Sequence, residues 1–481
     1  MPTHPLKASP IISTFGLQMS EALKNSRINS MGTSSIGRLI LQFSVPAIIS
    51  MLVEALYNIV DRYFVGQGVG YLGIGGITIC FPIVLFISAM SMIIGVGSNT
   101  LFAIRLGEKK YEQASIIMNH GFMLLVIMAV AAFVLGESFM SPILRLLGAS
   151  DELMPYASSY MRIVLCGALF QTITPGMNHF IRSMGHPKTA MFRVMIGAGT
   201  NVILDWLFIM VFKWGIQGAA WATVLSQLVG SIFVMQFFLK KSTPIKFRTR
   251  YMKLKFVYVR KIFILGLPPS VMQISASLMN AILAWSLTTY GSTYTFKGSL
   301  VGGDMAISAF GILNSIATVV LFPVLGFVHG MQPIIGYNYG ARLFNRVRET
   351  MKIALLYSTS FVLTAYAILQ WNCEFFIAPF AAGDERLLEI AAWGLRIFMG
   401  AMFMIPLGMT AGSFFQGTGK AGRSLFLNAC RQIILFIPFL LIMPHFFGLK
   451  GVFIAQPIAD TGAAILGLTL MKLEMRKMPL T

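Results

Sequence analysis

The sequence predicts an all-α membrane protein: twelve transmembrane helices in two six-helix lobes related by a parallel repeat. Three observations carry that prediction. Long apolar stretches recur along the chain, the basic residues gather on one side of them, and the first half of the chain matches the second.

The apolar stretches come first. Of 481 residues, 56% are hydrophobic and 11% charged, with a mean hydropathy of +0.75. A soluble domain carries roughly 25% charged residues, so this chain lacks the polar groups to cover a water-facing surface. A span needs ~20 residues to cross ~30 Å of hydrocarbon. Segments of that kind run near 36–62, 73–102, 114–136, 156–183, 190–212 and 216–239, then near 262–290, 304–330, 351–371, 388–417, 424–446 and 449–471. A transmembrane barrel needs short segments of alternating polarity; these runs are continuous and therefore helical. Residues 1–35 form a polar N-terminal segment without the apolar core and small-residue cleavage site of a signal peptide. The N-lobe then covers 36–239, a basic linker 240–261, the C-lobe 262–471 and a short tail 472–481.

The basic residues test the span count. The formal charge of +20 would suggest nucleic acid in a soluble chain, but membrane proteins collect Lys and Arg on cytoplasmic loops. With both termini inside, 29 of the 37 Lys and Arg fall on the cytoplasmic side. That bias fits an even number of spans in a plasma membrane, with the lipid bilayer as partner and no nucleic acid. The four cysteines, Cys80, Cys166, Cys373 and Cys430, show no CxxC spacing, so neither a zinc site nor a disulfide framework is expected.

The halves then align. Trp214–Ala222 (WGIQGAAWA) matches Phe447–Ala455 (FGLKGVFIA) 233 residues later, and Gly97 and Gly107 fall on Gly330 and Gly340 at the same offset. HFIRSMG, ending at Gly185, meets SFFQGTG, ending at Gly419, and Ser44–Asn58 meets Gly266–Asn280 at a shorter offset. A longer loop near 290–303 absorbs the difference. Both halves start and end on the same side, which makes the repeat parallel. Such repeats are common in secondary transporters, whose substrate path lies between the repeated units.

No motif points to an enzyme or to nucleotide-driven work. GTGKAG (Gly417–Gly422) comes nearest to a phosphate-binding loop, but Phe414 occupies the position that needs its first glycine. HExxH, GxSxG and metal-spaced histidines are absent from the sequence, so no cofactor or metal is expected, and His179 and His329 read as structural. Transport would run on an ion gradient.

The acids carry the chemistry. Only Glu54, Asp61, Asp205 and Asp460 lie deep within spans. A carboxylate at the bilayer centre costs ~2.5–3.5 kcal/mol on insertion scales and marks an ion path or a polar partner. Burial favours the protonated form of a carboxyl, and a second carboxylate nearby favours it further, so a buried pair is a candidate proton site. On span 1, Glu54, Asn58 and Asp61 fall at i, i+4 and i+7, one helical face flanked by Tyr57. On span 5, Asn201 and Asp205 share a face. Asn178 and Thr223 add polar groups on spans 4 and 6, where helix–helix adhesion is the competing role. At the repeat offsets Glu54 meets Ala276, Asp61 meets Leu283 and Asp205 meets Ile437–Phe439. These acids therefore belong to the first half alone. Asp460 meets Gln227; it reads either as a second polar site or as a partner for backbone freed by Pro457. Pro46 removes a backbone hydrogen bond from span 1 and is a candidate hinge.

YNIVD (Tyr57–Asp61), NHFIRSMG (Asn178–Gly185), NVILD (Asn201–Asp205), GAAWAT (Gly218–Thr223) and QPIAD (Gln456–Asp460), in that order, resemble the multidrug and toxic compound extrusion (MATE) family in its DinF/MepA-like branch. The resemblance covers the chain from about Gly37. It implies two six-helix lobes in a V around a central cavity, and efflux of lipophilic, often cationic organic compounds in exchange for H⁺ or Na⁺, by a monomer. By motif, the cation site it implies comprises Tyr57, Asn58, Asp61, Asn178, Asn201, Asp205 and Thr223, with Glu54 where relatives often carry Gln. The NorM-like branch places an acid on span 7; Gly266–Asn280 has none. The competing function is a flippase for lipid-linked saccharides or another amphiphile, whose cavity would be cationic. The acids favour cationic cargo.

Overall fold

The computed structural model describes residues 28–479 apart from 70, 148, 241, 242, 244 and 382–384. Most of the 1–35 segment lies outside the described residues; 28–33 are helical.

Ten described helices are long and apolar enough to cross a membrane. Spans 1–3 are Ile36–Val69, Tyr71–Gly107 and Tyr111–Ser138. Span 5 is Pro187–Val211 and span 6 is Gly215–Leu239. In the second half, spans 7–9 are Phe256–Gly291, Gly303–Gly340 and Phe344–Trp371. Spans 11 and 12 are Ala421–Phe447 and Leu449–Arg476. Span 10 is a pair, Glu385–Phe398 and Met402–Gly417, bent by 40°. Span 4 is also broken: Met154–Cys166 and Ala168–Ser183 meet at Gly167, each half too short to cross alone. With each broken pair taken as one span, the described helices are consistent with the twelve expected spans.

Several helices outrun their apolar stretches. Span 2 continues to Gly107 because Arg105 extends toward the polar boundary, where it meets Glu108 at 2.5 Å; Lys110 reaches the same carboxylate at 2.9 Å. Lys109 then turns the chain with φ 59°, and Arg342, 233 positions on, turns it with the same φ. Gly185 (φ 83°) and Gly419 (φ 76°) form the next equivalent pair. Left-handed backbone favours glycine, which explains why HFIRSMG and SFFQGTG both end on it.

The long loop near 290–303 is a hairpin, β1 (Thr295–Phe296) against β2 (Ser299–Leu300). Lys297 (φ 48°) and Gly298 (φ 82°) make its turn, with both central residues at positive φ as a tight hairpin requires. Lys297 pairs with Glu389 at 2.7 Å, which pins the hairpin to span 10. The basic linker is strapped to span 3. Asn119 Oδ1 accepts the Arg248 amide at 3.1 Å, and His120 Nε2 accepts the Lys255 amide at 2.9 Å.

Three apolar cores give the molecule its shape. One draws on both lobes, joining Leu39, Phe43, Phe102, Phe180, Leu265, Met331, Ile335 and Phe414 at the end where the described termini lie. The other two lie toward the opposite end and belong to one lobe each: Val65, Met161, Ile209 and Ala219 in the first; Leu287, Leu313, Phe436 and Phe453 in the second. The lobes are therefore joined at one end and separate at the other. Spans 1 and 8 form one side of the seam, and spans 2 and 7 the other. Glycines allow the approach. A Cβ on Gly266 would fall on the Ile93 carbonyl, one on Gly107 on the Tyr337 carbonyl, and one on Gly340 on the Ile104 carbonyl.

Asp460 has side-chain partners on spans 11 and 12. Its oxygens accept from Arg431 Nε at 2.7 Å and from Gln456 Nε2 at 3.0 Å, which closes it into an ion pair between spans 11 and 12. The Arg431 and Asp460 side chains are 21% and 2% exposed. Removing one partner of a buried pair leaves an uncompensated charge, at a cost of about 3–5 kcal/mol. Arg431→Met should therefore lower the melting temperature in detergent steeply, and Arg431→Met with Asp460→Leu should recover most of the loss. Equal melting temperatures for the single and double variants would refute this account.

Candidate functional site: a polar cavity in the first lobe

A cavity of about 440 Å³ opens among spans 1, 2, 4, 5 and 6, with Gln273 of span 7 and His329 of span 8 completing its wall. Span 1 contributes Pro46, Ser50, Glu54, Tyr57 and Asp61, spaced three or four residues apart on one helical face. Span 1 stays helical through Pro46, and Ser50 Oγ donates to the Pro46 carbonyl at 2.8 Å. The Asn58 side chain lies outside the described residues.

Span 5 faces span 1. Asn201 (2% exposed) lines the cavity, while Asp205 is fully buried. The Asp205 carboxyl faces that of Asp61 at hydrogen-bonding range, so a proton or a cation is needed to relieve the pair. Neither polar atom of Asn201 finds a hydrogen-bond partner, and neither Asp205 oxygen meets a donor. Buried polar groups are nearly always satisfied, so unpartnered donors and acceptors gathered here suit a polar ligand or an ion. A π-helical turn, Trp206–Val211, starts directly after Asp205; such turns occur frequently at functional sites.

Spans 4 and 6 close the site. Asn178 Nδ2 donates to the Ala190 carbonyl at 3.3 Å, tying span 4 to span 5, while its Oδ1 has no partner. Thr223 lines the cavity and hydrogen-bonds Tyr160, which lies in the field of Asp61 and Tyr57. Six of the sequence candidates, Glu54, Tyr57, Asp61, Asn178, Asn201 and Thr223, thus share one cavity, with Asp205 buried against Asp61. Asp460 lies apart in the second lobe. Among the described residues, no group of three His, Cys, Asp or Glu is placed to hold a metal ion.

Sequence reasoning left five titratable lining residues out of the site: Tyr160, Arg182 and Arg193, and His179 and His329, which it read as structural. The charge count had assigned both arginines, like Arg431, to cytoplasmic loops. Arg193 instead lies inside the helix Pro187–Asp205, and Arg182 in the last turn of Ala168–Ser183. A signal existed in the spacing. Arg182 follows Asn178 by four residues, and Arg193, Gly197, Asn201 and Asp205 recur every fourth position.

With this geometry described, comparison with known proteins is specific. The MatE family model matches residues 46–207 and 268–442. The multidrug export protein MepA of Staphylococcus aureus (strain MRSA252) is 24% identical over 451 residues, covering 94% of this chain and 97% of that protein. A structure described as the outward-facing conformation of a multidrug resistance MATE family transporter of the MOP superfamily superposes with a TM-score of 0.85 at 25% identity, covering 93% of this chain and 98% of that one. A MOP superfamily transporter from Pyrococcus furiosus, described as having a binding pocket of reverse polarity, superposes equally well, with a TM-score of 0.85 at 26% identity, covering 94% and 98%. The two-lobe fold and the family model, which spans both lobes, give one conclusion: the chain belongs to the MatE family.

Proposed function

We propose that this protein is a secondary active multidrug efflux antiporter of the plasma membrane, with both termini cytoplasmic and the monomer as the working unit. The observation that carries the reading is the Asp61–Asp205 pair, half-buried at Asp61 and fully buried at Asp205, beside the unpartnered amide of Asn201 and next to a cavity large enough for a small organic molecule. Repulsion between the two carboxylates makes the pair a receptor for one H⁺, with Na⁺ as the other candidate ion. Asn201, Thr223, Tyr57, Asn58 and Asn178 supply the oxygens and donors around it, and Glu54 extends the acidic face into the cavity. Filling the pair from outside and emptying it inside would drive the lobes between two arrangements, with Pro46 as the flexible point of span 1. The name of MepA as a multidrug export protein supports organic compounds as cargo.

The experiment uses the purified chain in proteoliposomes, with ethidium as cargo and one gradient at a time. Uptake against a pH gradient alone assigns H⁺, and uptake against a Na⁺ gradient alone assigns Na⁺. Ethidium movement that ignores both gradients would overturn the antiport reading.

A restriction to cationic cargo fits the cavity less well than it fits the sequence. Arg182 and Arg193 share a wall with Glu54 and Asp61, so the cavity presents both signs of charge.

A further inference from the structure

The end of the cavity away from Asp61 is cationic. Arg182 Nη2 lies 3.3 Å from His179 Nδ1 on the same helix. The His179 ring stands 6.2 Å from that of His329, which comes from the other lobe. Arg193 approaches from span 5 and lies within the field of Arg182. Two permanent positive charges and two imidazoles thus gather from spans 4, 5 and 8, with Glu54 the described carboxylate whose charge reaches both arginines.

The competing account is that these arginines only reach for the membrane boundary, as basic side chains near helix ends do. Two features speak against it. Both arginines line the cavity wall rather than the lipid face. Arg193 Nε is buried with no hydrogen-bond partner. A guanidinium turned inward with an unmatched donor is poised for an oxyanion, since its planar fork matches carboxylate and phosphate geometry.

Resting on the efflux reading above, we propose that Arg182 and Arg193, flanked by His179 and His329, form a subsite for the anionic group of an amphiphilic substrate, a carboxylate or a phosphate. The rest of the substrate occupies the Met51, Phe81 and Met92 side of the cavity, where flexible and aromatic side chains accept varied apolar shapes. A zwitterion would satisfy both ends, with its cationic group toward Asp61. His329 brings the second lobe into contact with the same group, so the bound anion would bridge the lobes.

The test is fluorescence binding to the purified full chain. Dansyl-undecanoate serves as the carboxylate probe, dodecyl phosphate as the phosphate competitor and ethidium as the cation. The wild type should bind dansyl-undecanoate and release it to whichever headgroup the site prefers; displacement by dodecyl phosphate at lower concentration than by undecanoate assigns phosphate, and the reverse assigns carboxylate. Arg182→Gln and Arg193→Gln should each weaken the anionic probe roughly tenfold to a hundredfold, the loss expected for a charged hydrogen bond. Arg193→Lys should recover part of it. Ethidium should move the other way and bind tighter to both Gln variants, an opposite response that general structural damage would not give. A wild type that excludes the probe, or Gln variants that bind it as the wild type does, would overturn the subsite. Binding of the probe in a protein that moves no cargo with either gradient would leave the subsite standing and reject the efflux reading instead.

Discussion

Gradient-driven transport should fall to the level of empty vesicles in both Asp61→Asn and Asp205→Asn. Asparagine preserves the size of the side chain and much of its hydrogen bonding, and removes only the capacity to carry a negative charge or hold an exchangeable proton. The two carboxyls face one another at hydrogen-bonding range, and Asp205 is fully buried. They therefore act as one unit, and such a unit titrates as a pair. On the proposed coupling role, losing either member should abolish ion binding rather than halve it, so the double variant should be no worse than the singles. Ethidium binding measured without a gradient should persist in Asp205→Asn, because the lining acids Glu54 and Asp61 are untouched, and weaken in Asp61→Asn, which removes a negative charge from the cavity wall. Wild-type exchange in either single variant would remove these aspartates from the coupling mechanism.

The second large effect is expected at the seam between the lobes. Gly266→Val places a branched side chain where even a Cβ would fall on the Ile93 carbonyl, with the rest of the Ile93 backbone close behind. Backbone cannot give way as the tip of a flexible side chain can. Overpacking of this kind costs about 1–3 kcal/mol, which shifts a two-state population roughly fivefold to a hundredfold. The arrangement closed at the end of the described termini should lose that population to arrangements opened there. Spin labels at Lys188→Cys and Arg342→Cys, in a background without the four native cysteines, would report longer distances in the variant. Gly266→Ala should give a smaller shift in the same direction. A distance distribution identical to that of the parent would show that the seam tolerates the added volume and that its glycines do not control closure.

The twelve spans, the repeat and the acidic pair were all legible in the sequence, because each rests on a local pattern. An apolar run is long enough or not, and an aspartate within one stands out by its cost. Even the repeat proved physical at single residues, as Gly185 and Gly419 share a backbone conformation that favours glycine. What escaped notice depended on where one helix faces another. Arg193 fell close to an apparent span boundary and was counted with the loops, but its helix begins at Pro187 and turns it inward. The ion pair of Asp460 was not legible because its partner, Arg431, lies 29 residues earlier on another span. Tyr160 and His329 carried no signal of their own, since an aromatic or imidazole in a span is usually packing. The break at Gly167 was hidden for the same reason, with apolar composition continuing across it.

The apolar core shared by both lobes constrains what motion can cost. Separating the lobes at that end would wet side chains such as Phe102, Phe180 and Phe414, at about 25 cal/mol for each Å² exposed, so each 100 Å² opened costs about 2.5 kcal/mol. The transition becomes affordable only if dewetting elsewhere offsets it, and the two single-lobe cores flank the space where that would happen. Alternation in this chain would then be a trade of hydrated area from one end of the crevice to the other, balanced to within the free energy of one bound ion.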